Sequence, residues 1–190
     1  MRVGVLAIQG DFEKHIETLK RLGVDAVPVR TADEVRQLNG LIIPGGESTT
    51  VGKLMRRYGI EGAIRERVAE GMALYGTCTG LILMANDIED SDQSRLSLLD
   101  ITVRRNAFGR QIDSFETDLI VPELGSAPLR GVFIRAPFIT EVRNGVQVLA
   151  SVDGRPVLVK KDKLLASAFH PELTDDTRLH QYFLDSIDGA

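Results

Sequence analysis

Ala73-Leu74-Tyr75-Gly76-Thr77-Cys78-Thr79-Gly80-Leu81-Ile82-Leu83-Met84-Ala85 decides the fold. The first three residues read as a short buried strand, and the apolar run over 81–85 reads as a helix. Between them, two glycines flank a cysteine with one residue on either side. Such a turn is sharp and crowded, and glycine is what fits at its shoulders. A strand that passes straight into a helix suits a sheet with parallel strands, where each strand is followed by a crossover.

The same alternation extends toward the N-terminus. Residues 3–8 form a continuous apolar run, as expected of a strand covered on both faces, and 24–29 and 41–43 are two more strands. Helices are expected over 13–22, where Ile16, Leu19 and Leu22 make an apolar stripe that Gly23 ends, and over 49–58 and 61–70. Thr31 with Glu34 three residues later fits a capping box on a short helix. The second half changes character. A polar loop is expected over 87–94, then strands over 101–103, 115–121, 132–134, 146–152, 156–159 and 164–169, with 160–163 as the turn of an antiparallel hairpin. Asp175 or Asp176 is expected to cap a last helix with Leu179, Tyr182, Phe183 and Ile187 on its apolar face. The fold expected is α/β: an open, mostly parallel sheet with helices on both faces and an antiparallel extension in the second half, in one domain over 1–190.

Composition narrows the class of function. The 190 residues are 43% hydrophobic and 26% charged, with a net charge of −4 and no basic block, so nothing supports a nucleic-acid partner. No apolar run approaches the roughly 18 residues that span a bilayer. The first eight residues read as a buried strand and not as a targeting signal, since Gln9-Gly10-Asp11 cuts the run off. One cysteine excludes an intrachain disulfide and a cysteine-rich zinc site, and points to a reducing cytoplasm.

That cysteine, Cys78, stands where a nucleophile elbow holds its reactive group, above the sheet and at the start of a helix whose free N–H groups favour an anion. The N–H of Thr79 is then available to an oxyanion. An inert buried cysteine fits the same pattern, so a base must be found. Of three histidines, His15 and His180 lie within amphipathic helices and read as solvated or partly buried helix positions. His170 ends an apolar strand, at the carboxyl edge where ligands of open α/β sheets gather. Pro171 bends the chain after it, so Glu172 is free to accept a hydrogen bond from the imidazole and fix its tautomer.

Pro44-Gly45-Gly46-Glu47-Ser48-Thr49-Thr50 follows the third strand and lets a ligand approach the backbone. It is not a nucleotide-phosphate loop. Gly46 is six residues before Gly52, one too many, and Leu54 follows Lys53 where Ser or Thr is required. Arg105 and Arg135 stand beside strand-like sequence and suit a carboxylate, although on these residues alone surface solvation is the better explanation.

Taken together these segments resemble the class I glutamine amidotransferases, whose flavodoxin-like fold carries a Cys, His and Glu triad. Within that class the match is to the glutaminase subunits of pyridoxal 5′-phosphate synthase. It is carried by Gly4-Val5-Leu6-Ala7-Ile8-Gln9-Gly10, the Pro44 to Thr50 segment, Asn106-Ala107-Phe108-Gly109-Arg110-Gln111, Phe133-Ile134-Arg135-Ala136-Pro137 and His170-Pro171-Glu172-Leu173-Thr174. The resemblance implies that Cys78 attacks the side-chain amide of L-glutamine, that His170 and Glu172 complete the triad, and that Gly46 and Thr79 supply oxyanion N–H groups. It further implies glutamine held by Gly46, Glu47, Ser48, Arg105, Ile134 and Arg135, with no metal or organic cofactor. The ammonia passes to a separate synthase subunit that builds pyridoxal 5′-phosphate from ribose 5-phosphate and glyceraldehyde 3-phosphate, in an assembly of twelve and twelve subunits. The 9–11 loop is the candidate docking face. The chain departs from the family at Thr79, where alanine is more usual, and at Asp11-Phe12. Rival readings are a glutaminase feeding another synthase, a non-catalytic subunit on the same fold, and a different cysteine hydrolase.

Overall fold

The computed structural model describes residues 1–105 and 114–189, so the Asn106 to Gln111 segment lies outside the described residues. Its largest sheet has seven strands. β1 (Arg2–Leu6), β2 (Asp25–Val29), β3 (Gly40–Ile43) and β4 (Ala73–Thr77) run parallel in the order β4-β3-β1-β2. β12 (Leu164–Ser167) adds a fifth parallel strand beside β4, giving the 2-1-3-4-5 order of a flavodoxin-like doubly wound sheet. β11 (Arg155–Lys161) and β10 (Gln147–Val152) continue it antiparallel, which is the expected extension.

Helices cover both faces, and two glycines in the central strands show which is where. A side chain at Gly40 would strike Ile187 and Phe183 of α6 (Arg178–Asp188). One at Gly76, on the opposite face by strand alternation, would strike Gly80 and Met84 of α5 (Thr79–Met84). α1 (Glu13–Arg21) lies on the α6 side, since His15 reaches His180. α3 (Ser48–Arg57) packs on α5, and α4 (Ile60–Ala69) packs on α3 and on α2 (Ala32–Val35). With both faces covered, β3 and β4 are buried at every residue, which is why they read as unbroken apolar runs. The Thr31 and Glu34 capping box forms as the sequence predicts.

The second half departs from the sequence reading in three places. Two small separate sheets appear: β5 (Ala85–Ile88), β6 (Leu99–Arg104) and β9 (Phe138–Val142), and a hairpin of β7 (Ser114–Leu119) with β8 (Leu129–Ile134). β5 occupies part of what reads as a polar loop. Its Asn86 and Asp87 are polar because one edge is open, and its pairing with β6 comes from a distant segment. β9 has no counterpart in the sequence reading, because its Thr140 and Glu141 break the apolar pattern. The last helix has Thr177 at its N-cap with no side-chain bond there; Asp176, one residue earlier, accepts from the Arg178 N–H at 3.0 Å.

Candidate active site

β1, β3, β4 and β12 all point their carboxyl ends at one place. Cys78 lies there, between β4 and α5, with φ 50 and ψ −95. A non-glycine residue in that conformation is strained, and its surroundings hold it: its N–H donates to the Ser167 carbonyl at 2.8 Å. Glycine is obligatory two residues on, since a Cβ at Gly80 would sit 2.3 Å from the Ile43 carbonyl oxygen.

His170 faces Cys78 within hydrogen-bonding reach, and its Nδ1 lies 2.8 Å from Glu172 Oε1. Glu172 sits in a 3₁₀ turn, Pro171–Leu173, that starts immediately after His170. Both residues therefore point inward, as the proline suggests. Burial opposes a charge on His170, but its hydrogen bonds to Cys78 and Glu172 outweigh this and push its pKa up to about 10. Burial likewise opposes charge on Glu172, yet neighbouring His15 and His170 hold its carboxyl below the usual range. A charged imidazolium held between Cys78 and a carboxylate is the arrangement this geometry favours.

His15 and His180 require a correction. Neither is solvated: both are fully buried, with His15 Nδ1 2.9 Å from His180 Nε2. His15 Nε2 lies 3.2 Å from Thr77 Oγ1 and 3.3 Å from Glu172 Oε2, the latter without hydrogen-bond alignment. The amphipathic pattern marks their helices but gives no hint that both rings turn inward and meet, with His15 reaching on to Glu172.

A cavity of about 430 Å³ opens in front of Cys78. It is lined by Cys78, His170, Gly46, Glu47, Ser48, Thr79, Arg105, Ile134 and Arg135, and by Gln9, Gly10 and Asp11 of the first loop. Glu172 alone among the nominated residues stands behind the wall, on the far side of His170. Glu47 is already engaged as the N-cap of α3, accepting from the Thr49 and Thr50 N–H groups at 3.1 and 2.8 Å. The Thr50 hydroxyl and these N–H bonds hold its carboxyl below its ordinary range. Arg135 adopts φ 42 just after β8, so the backbone turns sharply at the cavity rim.

Gln93 is a residue that sequence reasoning misses. Its Oε1 accepts from Ser48 Oγ at 3.2 Å, Thr49 Oγ1 at 3.3 Å and Arg105 Nη1 at 2.9 Å, tying two nominated ligand residues together. A glutamine in a polar loop carries no local signal for that role. Two further contacts set the Gly46–Glu47 peptide. The Thr79 hydroxyl donates to the Gly46 carbonyl at 2.5 Å, and the Glu47 N–H donates to Gln9 Oε1 at 2.8 Å.

The profile of the SNO glutamine amidotransferase family matches residues 5–188. Curated relatives named pyridoxal 5′-phosphate synthase subunit PdxT include one from Carboxydothermus hydrogenoformans, 53% identical over 187 residues that cover 98% of each chain. Another, from Thermus thermophilus, is 57% identical over 185 residues, 96% of each chain. A crystal structure described as a glutamine amidotransferase superposes with a TM-score of 0.93 at 55% identity, covering 98% of both chains. The PurLQS structure from Thermotoga maritima shares the fold at a TM-score of 0.72 and 17% identity, over 97% of each chain.

Proposed function

From the premise that this chain belongs to the SNO glutamine amidotransferase family, we propose that it is the glutaminase subunit of a pyridoxal 5′-phosphate synthase, releasing ammonia from L-glutamine for a synthase subunit. One observation carries the reading: Cys78, His170 and Glu172 are in line at the carboxyl edge of the sheet, and the cavity before Cys78 is walled by every residue nominated to hold glutamine.

In this proposal the glutamine α-carboxylate meets Arg105 and Arg135, while Glu47 and Ser48 take its polar end. Cys78 attacks the amide carbon. Charge developing on oxygen meets the N–H groups of Thr79 and Gly46. His170, held charged by Cys78 and Glu172, gives its proton to the leaving ammonia and afterwards activates the water that cleaves the thioester. Glu172 keeps Nδ1 of His170 protonated. The Gly45–Gly46 peptide, which carries the Gly46 N–H, is the element whose rotation would adjust the oxyanion pocket on docking; the next peptide along is pinned by its carbonyl on Thr79 and its N–H on Gln9. The synthase docks near the 9–11 loop in a twelve-plus-twelve assembly, and the complex works in the cytoplasm. Among the described residues no helix is long and apolar enough to cross a membrane.

The test is ammonia release from L-glutamine with and without the synthase subunit of the same source. Release that rises with the synthase and vanishes in Cys78→Ala, with docking intact, supports the chemistry and the pathway. Strong release indifferent to the synthase overturns the pathway, and wild-type release retained by Cys78→Ala overturns the mechanism.

A further inference from the structure

We propose that His15 and His180 are positioning residues for this hydrolysis: a buried relay that presents an N–H to the outer oxygen of Glu172 and thereby fixes Glu172, and through it His170, in the arrangement that serves Cys78. The proposal rests on the glutaminase reading above.

The contacts join three separate parts of the fold. His180 Nε2 on α6 meets His15 Nδ1 on α1 at 2.9 Å, and His15 Nε2 stands 3.3 Å from Glu172 Oε2, whose other oxygen holds His170 Nδ1 at 2.8 Å. The His15 and Glu172 side chains are completely excluded from solvent, so no water competes for these contacts. The groups that face the pair are Glu172 and His170 from the 3₁₀ turn and its threshold, Thr77 and Tyr75 from β4, and Asp11 ahead of α1. Glu172 Oε2 has no hydrogen-bond partner among the described residues, and the His15 Nε2 beside it at 3.3 Å stands off hydrogen-bond alignment. A buried carboxylate oxygen so placed is tolerated only where positive or N–H character faces it.

One order of protons suits these contacts better than the other. If His180 carries its proton on Nε2, it donates to His15 Nδ1. His15 must then carry its own proton on Nε2, pointed at Thr77 Oγ1 and Glu172 Oε2. His180 Nδ1, which has no partner, is left as a bare lone pair. The opposite order turns the His15 Nε2 lone pair onto a carboxylate and buries an unpaired N–H on His180, two unfavourable placements at once. The favoured order keeps Glu172 ionised and aligned, which keeps Nδ1 of His170 protonated and leaves its Nε2 for Cys78. Burial depresses both relay histidines, His180 to about 3, which favours the neutral rings that this proton order requires. The buried Tyr75 hydroxyl, on Ser167 Oγ at 3.0 Å, packs against the edge of His180 and braces the same assembly.

The experiment has two arms. Imidazole ¹⁵N NMR of the wild-type chain, which has only three histidines, is expected to show His15 and His180 both as Nε2–H tautomers. An Nδ1–H His15 overturns the proposal. In the second arm His15→Leu removes the N–H, and His15→Gln restores an amide N–H at the place of Nε2. With the synthase subunit present, His15→Leu is expected to lose kcat on the order of tenfold with KM for glutamine little changed, less than the loss of a triad orienting residue. The rate of Cys78 alkylation by iodoacetamide at neutral pH, which needs no synthase, is expected to fall several-fold, and Gln to reverse both effects. Wild-type kcat and alkylation in His15→Leu, or a Gln variant no better than Leu, overturn the relay and leave only packing. Should His15→Leu fail to fold, the NMR arm decides. A wild-type chain that shows the expected tautomers and alkylation yet releases no ammonia with the synthase overturns the glutaminase reading, not the relay.

Discussion

Replacing His180 by glutamine should flatten the acid side of the stability curve by an amount the structure fixes. His180 is completely buried between α6, β4 and α1, and burial pushes it down to about 3. In the unfolded chain a histidine binds its proton near 6.5. Below that pH the unfolded state takes up a proton that the folded state refuses, so stability is full above 6.5 and is lost as pH falls toward 3. The loss is about 1.4 kcal/mol for each pH unit below 6.5, hence about 2 kcal/mol by pH 5. Because 3 lies far below 5, folded-state protonation contributes nothing in this window. The native carboxylates held below their usual range, among them Glu47, Glu172 and Asp176, titrate under it. His170 works in the opposite sense, since its raised pKa stabilises the fold below 6.5 and that contribution fades as pH rises toward 10. His15 and His170 remain in both proteins, so the difference isolates His180. The assay is urea unfolding at pH 5, 6 and 7. Wild type should lose about 2 kcal/mol more than His180→Gln between pH 7 and 5. Parallel curves would refute the reasoning, because they would mean that the folded protein admits the proton.

Gly45→Ala places a methyl 2.5 Å from His170 Cε1, so the ring must move off Cys78; ammonia release with the synthase should fall on the order of a hundredfold while thermal unfolding changes little. Unchanged release would show that the ring has room to spare. Thr79→Ala keeps the N–H but deletes the hydroxyl that holds the Gly46 carbonyl. A hydrogen bond worth about 1 kcal/mol then no longer braces the loop against rotation of the adjoining Gly45–Gly46 peptide, and glutaminase activity without the synthase should rise about fivefold. A basal rate that stays flat or falls would remove the Thr79 contact from the switching role. Glu172→Ala should cost turnover on the order of a hundredfold, less than His170→Ala, since Glu172 only orients the group that moves the proton. Equal losses in a steady-state assay would contradict that division of roles.

The parallel half of the fold is legible because its strands are buried on both faces and its helices are local. A run such as Leu41-Ile42-Ile43 ending at Pro44 leaves few alternatives, and Thr31 with Glu34 announces its own cap. The later strands are less legible because their identity depends on a partner far away. Ala85 to Ile88 is a strand only because β6 supplies its hydrogen bonds, and Phe138 to Val142 only because β6 and the open edge of its own sheet tolerate Thr140 and Glu141. The site divides along the same line. Cys78 and His170 are visible because their chemistry needs a local backbone device, a glycine-flanked elbow in one case and a strand end followed by proline in the other.

Gln93, His15 and His180 are invisible for the converse reason. Their side chains do nothing for the segments that carry them. Gln93 gathers Ser48, Thr49 and Arg105 from two other parts of the chain, and His15 reaches a histidine 165 positions away. An amphipathic period reports which face of a helix is wet on average, and a polar ring on the dry face counts against the pattern and not toward a function. What identifies these residues is an energetic requirement that appears only in three dimensions. A buried carboxylate oxygen needs polar character facing it and a buried imidazole needs partners for its nitrogens, and β4, α1, α6 and the turn after His170 meet where His15 touches both Glu172 and His180.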